Sequence, residues 1–394
     1  MRYGSLGTVV AVLIGCGGER HEPVRAPPPT PAAVASAEVD AGPIASKEEA
    51  NPPPPEEPAS PPAPPPLPAT TKLARGSGSP ADAALAAGDA AYEADDFTQA
   101  EARYREAARM APKDAAPLVG LARVAIAKTN VPTDYNAAPK HPGLEKAVGQ
   151  LRQAIRLDPQ FAPAHTELGR ALLILGKAND ALGSFRKAIE LAPRDPEAHS
   201  GLGVALLAMG RAEDAVTELA KAAELDPGSA PRQTNLGTAL LMRGRVTEAV
   251  RAYEAAARIA PQDARTQSDL GTALLADNQV DRAIAVLRRA VTIDPKRAAL
   301  RSNLGYALQQ KRDLKAAIAE YREAIRLDEK LVSAWINLAT ALAQSGDRVE
   351  ARKALERAQK LDPSDPRVRA NLDELREFEK KPQVDAGSPR DKGR

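Results

Sequence analysis

Between residues 81 and 365 apolar and small side chains return every 34 positions, and within each unit they fall into two stretches of helical period. The units run 81–114, 115–161, 162–195, 196–229, 230–263, 264–297, 298–331 and 332–365. The twentieth position is alanine in all eight: Ala100, Ala147, Ala181, Ala215, Ala249, Ala283, Ala317 and Ala351. So is the twenty-seventh: Ala107, Ala154, Ala188, Ala222, Ala256, Ala290, Ala324 and Ala358. Small side chains at these two points predict a second helix that packs at the short end of the usual 8–10 Å spacing. The seventh position is leucine in seven units, from Leu121 to Leu338, and Ala87 in the first. The eighth is mostly glycine (Gly88, Gly169, Gly203, Gly237, Gly271, Gly305), which predicts close backbone approach at some cost in helix propensity. The fifteenth is Gly176, Gly210, Gly244 or Gly346, with Asn278 in one unit, residues that tolerate the left-handed turn ending a first helix. Pro112, Pro159, Pro193, Pro227, Pro261, Pro295 and Pro363 close each second helix or open the next unit.

Some units depart from this pattern. Unit 2 is 13 residues too long, with the excess near 128–143 and including Pro132, Pro139 and Pro142. A loop of that length between two helices is either functional or unstructured. Unit 7 has Arg312 and Glu329 where glycine and proline stand elsewhere, which predicts that its second helix runs into the next unit. Ser79-Pro80 reads as an N-cap followed by proline at the first helical position. Asp365-Pro366 opens a last helix, 366–380, with Val368, Leu372, Leu375 and Phe378 on one stripe and Arg369, Glu374, Arg376 and Glu377 opposite. Such a helix caps the apolar end of a repeat array. The polar tail 381–394 is expected to be disordered.

The period of 34, these positions, and the "LDP" or "IAP" before each boundary make the chain resemble the tetratricopeptide repeat proteins over about three-quarters of its length. The resemblance implies an all-α, right-handed superhelical solenoid of about eight helix–turn–helix repeats (81–365) plus the capping helix. It also implies a concave groove lined by positions 2, 5, 6, 9, 12 and 13 of the first helices. Position 6 reads Glu167, Gly201, Asn235, Asp269, Asn303 and Asn337. Repeats of the O-linked N-acetylglucosamine transferase type carry asparagines there that hold the main chain of an extended peptide. An amide donates and accepts at once, so it can match a peptide's N–H and C=O without reading its sequence. The other reading of this row is a residue preference common in the family. Position 5 adds Thr166, Ser200, Thr234, Ser268 and Ser302, ending in Ile336, and is expected to form a polar stripe beside the amides. Position 9 offers Arg170, Thr238, Thr272, Tyr306 and Thr340; position 12 offers Leu173, Leu207, Leu241 and Leu275. The carboxylate-clamp version of these repeats needs lysine at position 5 and asparagine at position 9, and neither occurs here.

The first 80 residues belong to a different regime. Arg2 precedes an apolar run, Leu6 to Ile14, broken only by Gly7 and Thr8. Spanning a bilayer takes about 20 apolar residues, so this run has the dimensions of a signal-peptide core (1–15). Leu13-Ile14-Gly15-Cys16 resembles a bacterial lipobox, which implies cleavage before Cys16 and a diacylglycerol on its sulfur. Cys16 is the chain's single cysteine, so neither an internal disulfide nor a paired-cysteine zinc site can form. Gly17 stands where an acidic residue would retain a lipoprotein at the inner membrane; by that resemblance the expectation is an outer-membrane lipoprotein facing the periplasm, with a cytoplasmic protein as the alternative. The stretch 17–80 holds 18 prolines and no hydrophobic period, so 16–80 is expected to be a disordered, lipid-anchored linker. In polyproline II at about 3.1 Å per residue it would reach on the order of 200 Å.

Composition narrows function further. The net charge of +2 gives no global field for nucleic acid. No phosphate loop, nucleophile elbow or metal spacing occurs, and the four histidines (His21, His141, His165, His199) form no catalytic dyad. No cofactor is expected. His165 and His199 hold the fourth position of adjacent units, where Trp335 stands in the last, and are expected to be packed imidazoles. The sequence points to a non-catalytic scaffold that holds a partner protein or extended peptide in its groove, at a membrane through the lipid. Lipoproteins of this layout resemble pilotins and adaptors of peptidoglycan enzymes. The alternative is a non-catalytic targeting subunit of a glycosyltransferase-like or peptidoglycan-processing complex.

Overall fold

The computed structural model describes residues 72–130, 138 and 140–380. Cys16, the expected signal peptide and linker up to residue 71, residues 131–137 and 139 of the long loop, and the tail 381–394 lie outside it. The described residues form 17 helices and no strand, an all-α helical solenoid. The helices pair in order. They are α1 (Pro80–Glu93) with α2 (Phe97–Met110), α3 (Ala116–Ala127) with α4 (Pro142–Leu157), and α5 (Ala162–Ile174) with α6 (Ala178–Leu191). Next come α7 (Pro196–Ala208) with α8 (Ala212–Leu225), α9 (Ala230–Met242) with α10 (Val246–Ile259), and α11 (Ala264–Ala276) with α12 (Val280–Ile293). The last pairs are α13 (Ala298–Gln310) with α14 (Leu314–Leu327) and α15 (Val332–Ser345) with α16 (Arg348–Leu361), closed by α17 (Pro366–Lys380). Each second helix packs on its own first helix and on the next one, and successive first helices also touch.

Sixteen alanines fix this packing. All those at positions 20 and 27 are 0% exposed. Position 24 supplies the bulk between them: Tyr104, Leu151, Phe185, Leu219, Tyr253, Leu287, Tyr321 and Leu355 are all buried. That side chain is why position 8 is glycine. A Cβ on Gly203 would lie 2.4 Å from Leu219, and one on Gly237 would lie 2.8 Å from Tyr253. The core then runs as one strip from Leu73 to Leu375, with Leu275 packed against both of its longer segments.

Caps and turns follow the sequence closely. Ser79 Oγ accepts from the Asp82 N–H at 3.2 Å with Pro80 behind it. Gly176 and Gly346 close first helices at φ +74° and +94°, and Asn278 does the same at +60°. Arg312 also adopts the left-handed conformation, at φ +70°, so unit 7 makes its turn without glycine. The expected run-on from unit 7 into unit 8 does not occur: α14 stops at Leu327 and α15 starts at Val332. With Glu329 in proline's place, the Asp328 before it holds the turn, its carboxylate accepting the Lys330 N–H at 2.9 Å as Asp158 and Asp362 do in their turns. Trp335 then pins the turn by donating its indole N–H to the Glu329 carbonyl, 2.9 Å away. At the end of the array Val368, Leu372 and Leu375 are buried, as a capping helix requires.

A second correction concerns the linker. Its last residues do not belong with a disordered arm: Leu73 is 1% exposed and part of the core. The segment 72–79 lies ordered against α1, held by hydrogen bonds that no hydrophobic period could announce.

Candidate peptide-binding groove

The first helices α1, α3, α5, α7, α9, α11, α13 and α15 stack side by side, which brings equivalent positions of successive repeats into rows. At position 6, Asn235, Asp269, Asn303 and Asn337 are half-buried. Asn303 donates to Ser268 Oγ at 2.9 Å, so one amide is braced by the preceding repeat. Gly201 interrupts the row for a steric reason, because a Cβ there would meet the Phe185 ring at 2.3 Å. Burial pushes the Asp269 carboxyl up to about 6, against the pull of Arg265 and with a small push from Asp263. Below about pH 6 it takes up a proton and then donates and accepts as its asparagine neighbours do.

The position 5 hydroxyls are not the open stripe expected of them. Thr166, Ser200, Ser268 and Ser302 are buried, and only Thr234 is half-buried. This position faces the seam between first helices, and two of its hydroxyls are used there. Thr166 donates to Asp195, the N-cap of α7, at 3.0 Å, and Ser268 receives Asn303. Ile336, equally buried, fills the same seam in the last repeat. At position 9 Thr238 pairs with the Tyr253 hydroxyl at 2.8 Å, Thr272 is buried, and Tyr306 and Thr340 are half-buried. Burial raises the Tyr306 hydroxyl above its ordinary range, so it stays a neutral donor. The surface left for a partner in this half is thus position 6, Tyr306 and Thr340 of position 9, and the half-buried Leu241 and Leu275.

The N-terminal half is built differently, in a way the repeat pattern does not announce. Arg123 of α3 and Arg170 of α5 close on Glu167 at 2.7 and 2.6 Å. Burial opposes ionisation of Glu167, but the Arg170 and Arg123 guanidiniums outweigh it and hold the carboxyl below the usual carboxylate range. In the first repeat, positions 2 and 9 are Asp82 and Asp89, both buried. Asp89 accepts from the Leu73 N–H (2.7 Å), the Ala74 N–H (3.0 Å) and the Tyr104 hydroxyl (2.9 Å).

The two histidines are structural fixtures. His165 and His199 donate from Nε2 to the carbonyls of Pro159 and Pro193, each at 3.0 Å, and His199 Nδ1 faces Glu218 at 2.7 Å. Gln267 does the same to Pro261, so with Trp335 position 4 latches four of the first helices to the turn before them.

Stacked helix pairs with a polar groove along the first helices define a helix-repeat solenoid, a class whose concave face is its extended binding surface. Models of the tetratricopeptide repeat match residues 85–133, 143–196, 234–298 and 268–331 in one form and 172–240 and 307–372 in another. The chain belongs to the tetratricopeptide repeat family, and like its members it is a protein-interaction scaffold. No curated protein matches it. Among solved structures it is similar to the APC/C hetero-tetramer Cut9-Hcn1, at 17% identity and a TM-score of 0.55. That match covers 75% of this chain and 55% of the other, so the chain spans about half its length; the likeness is one of fold. It is also similar to YrrB, a TPR protein with an unusual peptide-binding site (24% identity, TM-score 0.39, 48% of this chain and 97% of that one). PilF of Pseudomonas aeruginosa overlaps at 20% identity and a TM-score of 0.47, over 55% of this chain and 98% of that one.

Proposed function

We propose that this protein is a non-catalytic scaffold of a bacterial envelope, anchored through a lipid on Cys16, that holds an extended segment of a partner along its position 6 amides. The observation that carries this reading is the row Asn235, Asp269, Asn303 and Asn337, half-buried on adjacent first helices where position 5 is mostly buried, with one Asn303 N–H given to Ser268. Successive amides one repeat apart, joined by Asp269 once it protonates below about pH 6, suit main-chain capture with little sequence readout. The anchor rests on the apolar run ending in Leu13-Ile14-Gly15-Cys16, and Gly17 favours the outer membrane. No helix of the described residues is long and apolar enough to cross a membrane. A diacylglycerol on the Cys16 sulfur together with an acyl chain on its amine would exceed the two signals that stable anchoring needs.

The test is a pull-down from envelope extract with the full chain beside an Asn235, Asn303 and Asn337→Ala variant. A partner retained by the wild type and lost by the variant supports the groove; equal recovery moves the binding surface elsewhere. Metabolic palmitate labelling that disappears in Cys16→Ala supports the anchor, and labelling that never occurs removes it.

A further inference from the structure

The segment leading into α1 behaves as a peptide bound to the first repeat. Leu73 is buried in the core, and the chain runs antiparallel to α1 from the Asp89 end to the Asp82 end. Its main chain is held by side chains at two groove positions. Asp89, at position 9, receives the N–H groups of Leu73 and Ala74 at 2.7 and 3.0 Å. Asp82, at position 2, receives those of Arg75 and Ser77 at 2.7 and 2.8 Å. Gly76 and Gly78 sit at φ +71° and +70°, a left-handed alternation that wraps successive amides around the Asp82 carboxylate. Arg75 extends beyond the first repeat. Its guanidinium pairs with Asp114 at 3.2 Å and lies 4.9 Å from the centroid of the Phe161 ring, at the entrances to α3 and α5.

Four captured amides require four residues that are not proline. The stretch between Pro68 and Pro80 has none, although the linker before it is rich in proline. The contacts are thus those of a receptor for an extended segment: one apolar anchor, one cation two residues later, and unsubstituted amides at and between them.

We propose that the N-terminal end of the groove is a main-chain-capture site whose resident ligand is the chain's own Leu73–Ser77 segment. The partner it takes in exchange is an extended segment with leucine two residues ahead of arginine. The resident segment is covalently tethered, so it competes at a high effective concentration and a partner must displace it. Displacement would free the end of the linker from the solenoid, which couples partner capture to the reach of the arm. This inference does not rest on the amide row. A plain structural cap would make the same contacts but would not exchange.

The experiment uses the full chain and a labelled synthetic peptide of residues 70–79 as the probe, read by fluorescence anisotropy. Two strap variants release the site: Leu73→Asp removes the anchor, and Ala74→Pro removes one captured amide while leaving the repeats untouched. Either variant, with helical content unchanged by circular dichroism, is expected to bind the peptide at least tenfold tighter than the wild type. Adding Asp89→Asn to that background should abolish the gain, and adding Asn303→Ala and Asn337→Ala should leave it intact. No gain in the helical release variants overturns the proposal, because the strap is then a fixed cap. A gain that survives Asp89→Asn overturns it too, since the peptide then binds elsewhere.

Discussion

The two halves of the groove show two ways of lining the same helical rows. In the N-terminal half, the groove positions carry Asp82, Asp89, Arg123, Glu167 and Arg170, and those charges are closed on each other or on the strap. In the C-terminal half the equivalent positions carry Asn235, Asp269, Asn303, Asn337, Tyr306 and Thr340, half-buried, and the column is neutral or protonates. A buried charge must be matched by a fixed partner, so a charged groove tends to be one already filled. A half-buried amide can keep its partner in reserve. The difference teaches that burial of the lining side chains, more than their polarity, separates a closed stretch of groove from an open one.

The largest effect should come from breaking the charged half. Arg123→Ala strips Glu167 of one of its two guanidiniums and should cost about 3 kcal/mol in denaturant unfolding, whereas Asn303→Ala should cost under about 1 kcal/mol. Equal costs would erase the contrast. Ala249→Leu probes the frame that both halves share. It puts extra methylenes into a position that is 0% exposed and should cost about 1–3 kcal/mol; no change would show the repeat register to be wrong.

The halves should also answer pH with opposite signs. Glu167 and Asp82 are held below their usual values of 4.5 and 3.8, Asp82 chiefly by the Arg75 amide. Their stabilisation is present above those values and is lost as pH falls through the lower folded-state values. Asp269 is raised to about 6, so its folded form is favoured below 3.8 and loses that advantage as pH climbs through 6. Asp269→Asn should therefore stabilise the chain by about 2–3 kcal/mol at pH 7 and by little at pH 4, read as the difference in midpoint between the two pH values. A pH-independent effect would mean that burial does not perturb this carboxyl. Hydrogen exchange below pH 4 should open α1 and the strap before α13 and α15.

Much of the frame was legible in the sequence. Alanine at positions 20 and 27 gave the register because only a methyl fits where the second helix is wholly enclosed; the glycine at position 8 read as close backbone approach, whereas what it admits is the side chain at position 24. The stop at Asp328 was not legible, because the pattern marks helix ends by proline and this turn keeps the carboxylate acting on the Lys330 amide without one. The strap was missed for a related reason. Leu73–Ser77 has no period and sits in polar surroundings, and its order comes from Asp82 and Asp89 on α1. The residues of the amide row could be named from the sequence, but which rows face solvent could not. Position 5 and position 6 are neighbours in sequence and both polar, and only the stacking of first helices turns one into the seam.

The central claim, that the open half binds a partner through its amides, is tested most directly with a defined ligand. An extended peptide selected by display against the full chain would be titrated calorimetrically into the wild type, the Asn235, Asn303 and Asn337→Ala variant, and Asp89→Asn. Three lost hydrogen bonds at about 0.5–1.5 kcal/mol each should weaken the alanine variant at least tenfold, with Asp89→Asn unchanged. An affinity that the three alanines leave intact would contradict the account.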